Sequence, residues 1–359
     1  MALVFTCKRE FGVVFIITVL GLCLADTTRI YAQSSNQSSE QKQDEDVIRV
    51  STTLVTLPVQ ITDRHGKSVP GLTKEQFHVY EDGVEQEIAY FEPPANDSNS
   101  PATSSLQLTI ALLLDVSDST QFKLEQIKNT ALAFLDLLRP TDQIVVVAFD
   151  KQVRVLTQAT QDRNLLRAAI RGIKVGGGTS LYESLVATIT LLNRTAGRKA
   201  IIVLTDGVDT SSTGVSWEMV LREVESSYVT IYPIQYHTLG DFAESSTRET
   251  YAAGEFGRTT HVTRAGESPS AAYQRGSRYL RLLADKTSGY FQYNDKASNL
   301  ARSFERLASQ LRQQYTIAYY PTNKAGDDAT RKVTVKVTRP DLKVRTRKSY
   351  TNKSPNSLR

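Results

Sequence analysis

Residues 108–119 read LTIALLLDVSDS: seven residues without a charge, then an aspartate, then a short polar turn. A continuous apolar run of this length, without polar alternation, suits a strand covered on both faces, as in a parallel sheet flanked by helices. Three more runs share the character: QIVVVAF (143–149), KAIIVLTD (199–206) and VTIYPIQY (229–236). Helical patterns fall between them, up to Leu138, over 162–172, over 180–193 and at 216–226, with a short VRVLT strand at 153–157. Alternating β and α elements predict an α/β domain with a doubly wound, mostly parallel sheet.

Outward from this block the pattern changes. Residues 238–276 are rich in Gly, Ser, Thr and charge and read as a surface insertion, with helix resuming at SRYLRLLADKT. A short strand near GYFQY and a helix over 297–312 close the domain, which spans 106–312. Residues 47–91 alternate β-branched and polar residues, with Asp82-Gly83 at the bend of a hairpin. Residues 313–349 return to β in three strands, QYTIAYYP, RKVTVKVTRP and LKVRTRKSY, before a tail at 350–359. Neither flank covers its own apolar face, so the economical arrangement is one β-sandwich built from both, with the α/β domain inserted between them. EPPANDSNSPATSS (92–105) is the linker at that insertion.

The amino terminus reads as a leader. Lys8 and Arg9 precede an uncharged run from Phe11 to Ala25, and small and polar residues follow to Ala32. The run is shorter than the roughly 20 residues a bilayer-spanning helix needs, so residues 1–32 are expected to be a cleaved signal peptide rather than an N-terminal membrane anchor. Residues 33–46, QSSNQSSEQKQDED, have no apolar residue and are expected to be a disordered linker. These features predict a protein outside the cytoplasm, secreted or in the periplasm or cell envelope, and a mature chain expected to have no transmembrane span. Cys7 and Cys23 both fall in the leader, so neither disulfides nor cysteine-ligated metal are expected. Of the net charge of +5, residues 331–359 carry ten Lys/Arg against one acid, which leaves the remainder mildly acidic. The plain reading of that basic end is solvated edge strands and a frayed tail, and no nucleic-acid partner is expected.

The chemistry gathers at the ends of the apolar strands. Asp115, Ser117 and Ser119 share the loop after the first; Gly176-Gly177-Gly178-Thr179 precedes a helix; Thr205-Asp206-Gly207 ends another strand. Ligands in open α/β sheets bind at this edge. Carboxylates and hydroxyls are hard oxygen donors suited to Mg²⁺, Ca²⁺ or Mn²⁺, and small hydroxyl ligands with a few waters fit compact octahedral Mg²⁺ best. Helix capping would account for Asp115 and Ser117 but not for Thr179 and Asp206. Asp209 and Ser211 read as a polar helix entry. The four histidines share no metal-ligand spacing, and no Gly-Lys-Ser/Thr follows the glycines, which argues against a phosphate cradle.

In order and on matching elements, D-x-S-x-S, the Gly-Gly-Thr loop and T-D-G resemble the metal-ion-dependent adhesion site of von Willebrand factor A domains. The flanks, GLTKEQFHVYEDGVEQEIAYF before and QYTIAYYP and VRTRKSY after, are similar to the secreted bacterial, acidobacterial-type VWFA-related family. The resemblance implies that Asp115, Ser117, Ser119 and Thr179 ligate a divalent ion, with Asp206 acting through water. It further implies that an Asp or Glu carboxylate from an extracytoplasmic protein partner completes the coordination. The expected function is a non-enzymatic, adhesion-type interaction module; the alternatives are a metal-stabilised structural envelope protein or a hydrolase accessory. The sequence departs from D-x-S-G-S in having Asp118, a second acid that reads as pointing into solvent.

Overall fold

The structure is a computed structural model that describes residues 54–94, 107–238, 267–294, 299–323 and 329–351. The expected signal peptide (1–32), the linker 33–46 and nearly all of the linker 92–105 lie outside the described residues, as do 239–266 and 352–359.

The central strand is β5 (Leu108–Asp115), and all eight of its residues are buried. It pairs in parallel with β6 (Gln143–Phe149) on one side and β8 (Arg198–Thr205) on the other. Beyond β8 lie β9 (Val229–Tyr236) and β10 (Gln292–Asn294), also parallel; beyond β6, the short β7 (Val153–Val155) is antiparallel. The order is β10-β9-β8-β5-β6-β7.

Burial on both faces explains the uninterrupted apolar runs. Ile110, Leu112 and Leu114 pack with residues of α1 (Leu124–Leu137), α2 (Arg163–Arg171) and the last helix, α6 (Leu300–Arg312). Ala111 and Leu113 pack with α3 (Leu181–Asn193), α4 (Trp217–Ser226) and α5 (Pro269–Thr287). The chain leaves β5 toward α1 on one face and leaves β8 toward α4 on the other. The crevice between their carboxyl ends is therefore the switch point of the sheet, where open α/β folds take ligands.

The flanks form two four-stranded sheets, ordered β13-β1-β11-β4 and β14-β12-β2-β3. Here β1 is Val55–Thr62, β2 Phe77–Glu81, β3 Val84–Gln86, β4 Ile88–Glu92, β11 Tyr315–Tyr319, β12 Thr330–Val337, β13 Lys343–Arg345 and β14 Ser349–Thr351. Each sheet interleaves strands from the two ends of the chain: β1 pairs with β11 and β13, and β12 with β2 and β14. Leu57, Ile61, Phe77, Tyr315, Ile317 and Val333 belong to the single core between them, which is the expected sandwich. The turn between β2 and β3 holds Asp82 at φ 50° and Gly83 at φ 86°, the pair of left-handed positions that a two-residue hairpin requires.

Three details depart from expectation. The helix placed at 277 begins at Pro269, where Ser268 caps it by accepting from Ala271 N at 3.3 Å, so the end of the expected 238–276 insertion is helix. The single strand LKVRTRKSY is two strands in different sheets, and the second runs to Thr351 inside the expected tail. At the break, Arg347 is buried at 2% exposure and donates to the Ser227 and Val224 carbonyls at 2.5 and 3.3 Å, closing the end of α4. Arg331 is buried as well, so the basic carboxyl end is not wholly solvated. Among the described residues no helix is long and apolar enough to cross a membrane.

Candidate functional site

Three loops meet at the carboxyl edge of the sheet. Asp115, the last residue of β5, is fully buried. Its Oδ1 accepts from Ser117 N at 3.0 Å and from Ser117 Oγ at 2.6 Å, and its Oδ2 accepts from Thr205 Oγ1 at 2.6 Å. Ser117 Oγ also lies 3.1 Å from Ser119 Oγ, so the three residues of the first loop form one chain of oxygens. Ser117 does not cap α1, which begins only at Leu124; its hydroxyl is turned to Asp115 instead. Asp118 is exposed, as expected.

The second loop is tied to the first by backbone: Gly176 N donates to Val116 O at 2.7 Å, and Asp118 N to Gly177 O at 3.1 Å. Two of its glycines stand in tight places: a Cβ on Gly176 would stand 1.5 Å from Asp150 Oδ2 and 2.8 Å from Asp150 Cβ, and one on Gly178 2.3 Å from the Ser211 hydroxyl. Thr179 is buried at the entrance to α3 and is clamped to the third loop. Its N donates to Thr210 Oγ1 at 2.8 Å, and its O accepts from Thr210 N and Ser211 N, both at 2.9 Å.

In the third loop, Asp206 is 2% exposed. Its Oδ1 accepts from Val208 N at 3.0 Å, and its Oδ2 from Thr238 Oγ1 at 3.1 Å and Tyr273 OH at 3.2 Å. Gln235 Nε2 donates to its carbonyl at 2.7 Å. Asp115 and Asp206 are close enough to repel: burial, and after it the Asp206 charge, push the Asp115 carboxyl up to about 7. Burial and Asp206 likewise raise the Tyr273 hydroxyl far above its ordinary range. No ion pair among the described residues takes in either carboxylate.

All five expected residues thus lie on loops that are hydrogen-bonded to one another. Several supporting residues were not foreseen. Thr205 was legible only as part of T-D-G, and Thr238 and Tyr273 fell in the stretch read as an insertion. Asp150 holds the loop facing Gly176, accepting from Gln152 N at 2.7 Å and from Arg154 Nη1 at 2.8 Å. Asp209, read as a helix entry, accepts from Tyr182 N in the first turn of α3 at 3.1 Å and from Ser212 Oγ at 2.6 Å. Any cation taken at this edge would be held by oxygen alone.

Residues 110–208 match the family model for the von Willebrand factor type A domain. A curated relative, an uncharacterized protein of Synechocystis sp., is 30% identical over 174 residues, which are 46% of this chain and 39% of that protein. The matched region is therefore well under half of that relative's length. Among solved structures, a von Willebrand factor type A protein from Catenulispora acidiphila is 13% identical, with a TM-score of 0.43 over 86% of this chain and 76% of that one. Proximal thread matrix protein 1 of the mussel byssus, in a form described as having a zinc-occupied MIDAS motif, is 16% identical, with a TM-score of 0.42 over 60% of this chain and 47% of its own.

Proposed function

We propose that the chain, whose residues 110–208 match the von Willebrand factor type A domain, is an extracytoplasmic, metal-dependent protein-binding module. In this reading Asp115, Ser117, Ser119 and Thr179 hold a divalent cation, Mg²⁺ in preference to Mn²⁺ or Ca²⁺, and Asp206 orients its waters. An Asp or Glu side chain of a partner protein supplies the remaining ligand.

The observation that carries the reading is the convergence of carboxylates and hydroxyls from three mutually hydrogen-bonded loops at the switch point of the sheet. Two buried carboxylates close enough to repel, neither in an ion pair among the described residues, form a site whose cost a divalent cation would offset. The hydroxyl of fully buried Tyr236, which lies within electrostatic reach of both carboxylates and has no hydrogen-bond partner among the described residues, would accept from a water held by such a cation. All donors are hard oxygens, the set that Mg²⁺ takes. With only two protein carboxylates, which balance a divalent charge without exceeding it, the cation would keep Lewis acidity for one more oxygen ligand. The leader-like residues 1–32 support placement outside the cytoplasm.

Affinity capture from a cell-envelope extract tests the function. Capture of a partner in millimolar Mg²⁺, lost in EDTA and lost with Asp115→Ala, is the expected result. The same capture with and without EDTA would reject the mechanism.

A further inference from the structure

At the opposite edge of the central sheet, a whole strand away from Asp115, the amino-terminal ends of β5, β6 and β8 and the carboxyl ends of α1 and α6 enclose a hollow of about 260 Å³. Arg139, which follows α1, Arg198, the first residue of β8, and Arg312, the last of α6, all line it. Asp142, just before β6, is the one acid on its wall among the described residues. Buried Leu108 and Leu311 form part of the wall as well, so charges here are screened less than on an open surface.

The three guanidinium groups keep most of their donors. None of them is in an ion pair among the described residues. Arg139 engages those residues in hydrogen bonds through its backbone N and O and not its side chain. Arg312 spends Nη1 on the Leu137 carbonyl at 2.8 Å, and Arg198 reaches Gln314 Oε1 at the long distance of 3.4 Å. All three are half-buried, so each retains surface to offer a ligand. Asp142 accepts from Arg139 N at 3.0 Å, with Arg139, Arg198 and Arg163 all within electrostatic reach of its carboxyl. Three arginines less one aspartate leave the lining with an excess of two positive charges even when Asp142 is ionised. Cations gathered around a concave, partly apolar surface concentrate anions, and guanidinium forks match the oxygens of an oxyanion. An excess of two favours a dianion over a monoanion. The volume, below the roughly 300–1,000 Å³ of a drug-sized site, limits the ligand to a small group.

We propose that this hollow binds a small dianionic oxyanion, a phosphate group either free or borne as a monoester, through Arg139, Arg198 and Arg312. The site is independent of the metal-dependent reading: it lies at the other edge of the sheet, and its donors are guanidinium N–H groups.

The full chain is titrated calorimetrically in EDTA, which removes any cation that could itself take phosphate, at about pH 7.5, where phosphate groups are chiefly dianionic. The probes are inorganic phosphate, methyl phosphate and, as a monoanion, acetate, all at one ionic strength. Saturable binding of the phosphates is expected, with acetate at least about fivefold weaker. Tighter binding of methyl phosphate assigns the site to phosphate carried on an organic residue; tighter binding of inorganic phosphate assigns it to the free ion. Arg139→Gln, with its fold checked by circular dichroism, should bind phosphate at least about fivefold more weakly, from loss of a charge-assisted bond. Asp142→Asn removes the opposing charge and should bind about twofold more tightly or better. A general loosening of the fold would not produce opposite signs from two substitutions on one wall. No saturable heat with either phosphate, acetate bound as tightly, wild-type affinity in Arg139→Gln, or affinity in Asp142→Asn no greater than wild type would overturn the proposal.

Discussion

Thr205 Oγ1 donates to Asp115 Oδ2 at 2.6 Å and accepts from Gly207 N at 3.0 Å. One hydroxyl thus joins the ends of neighbouring strands β8 and β5 and fixes the start of the third loop. Thr205→Val keeps the shape and removes both bonds, leaving a buried carboxylate oxygen and a buried N–H without partners. The expected cost is about 1–3 kcal/mol in urea denaturation, with Thr205→Ser recovering most of it. A Val variant as stable as the wild type would show that the hydroxyl bridge is dispensable.

Where α5 crosses the third loop, backbone meets backbone. A Cβ on Gly276 would lie 2.4 Å from Gly207 O and 3.2 Å from its Cα, and Gly207 is held at φ 86°. Alanine in a helix gains about 1 kcal/mol over glycine, but overpacking costs about 1–3 kcal/mol, and here the obstructing atoms cannot swing aside. Gly276→Ala should therefore lower the melting temperature. Gly214→Ala, whose Cβ would meet only Glu183 Oε1 at 3.7 Å, should leave it within error. A Gly276→Ala protein more stable than wild type would contradict this packing.

Arg347 ties the sandwich to the end of α4, with its guanidinium 5.7 Å over the Tyr228 ring. Burial lowers its pKa to about 10, still well above neutral pH, so it stays charged there. Arg347→Ala removes two charge-assisted bonds and opens a void. A loss of about 2–4 kcal/mol is expected from chemical denaturation.

Asp142 gives a pH-dependent signature away from the loops. Its carboxyl accepts from Arg139 N at 3.0 Å, and burial, outweighing Arg139, Arg198 and Arg163, raises its pKa above the usual 3.8. A carboxyl raised in the folded state stabilises fully below the unfolded pKa, and that stability is lost as pH rises through the folded value. Asp142→Asn keeps an acceptor without the charge. It should be the more stable protein at pH 8, by up to about 1 kcal/mol, with the advantage vanishing toward pH 3.5. A gain independent of pH would show that burial of the charge is not its cause.

The α/β half of this fold was legible because burial on both faces of β5, β6, β8 and β9 leaves an unambiguous mark in sequence, and because the site residues stand at the ends of those runs. The sandwich was legible as a need for cover and as the Asp82-Gly83 turn. What escaped depends on contacts between distant segments. Arg347 sits in an alternating run that reads as one solvated strand, and only the carbonyls closing α4 explain its burial. Thr238 and Tyr273 carry no local signal of their bonds to Asp206, since the aspartate lies 32 and 67 positions away. Pro269 after Ser268 did mark a helix start, but the polar composition around it masked the helix.

Whether Asp115, Ser117, Ser119, Thr179 and Asp206 hold a cation is read by calorimetric titration of Mg²⁺ into EDTA-stripped protein, wild type beside Asp115→Ala, with thermal unfolding of both followed in parallel. Saturable binding to the wild type is expected, with about 2.7 kcal/mol of added stability at a hundredfold excess over Kd, and neither effect in Asp115→Ala, whose circular dichroism should match wild type. No heat with the wild type at millimolar Mg²⁺ or Mn²⁺, or equal binding by Asp115→Ala, would contradict it.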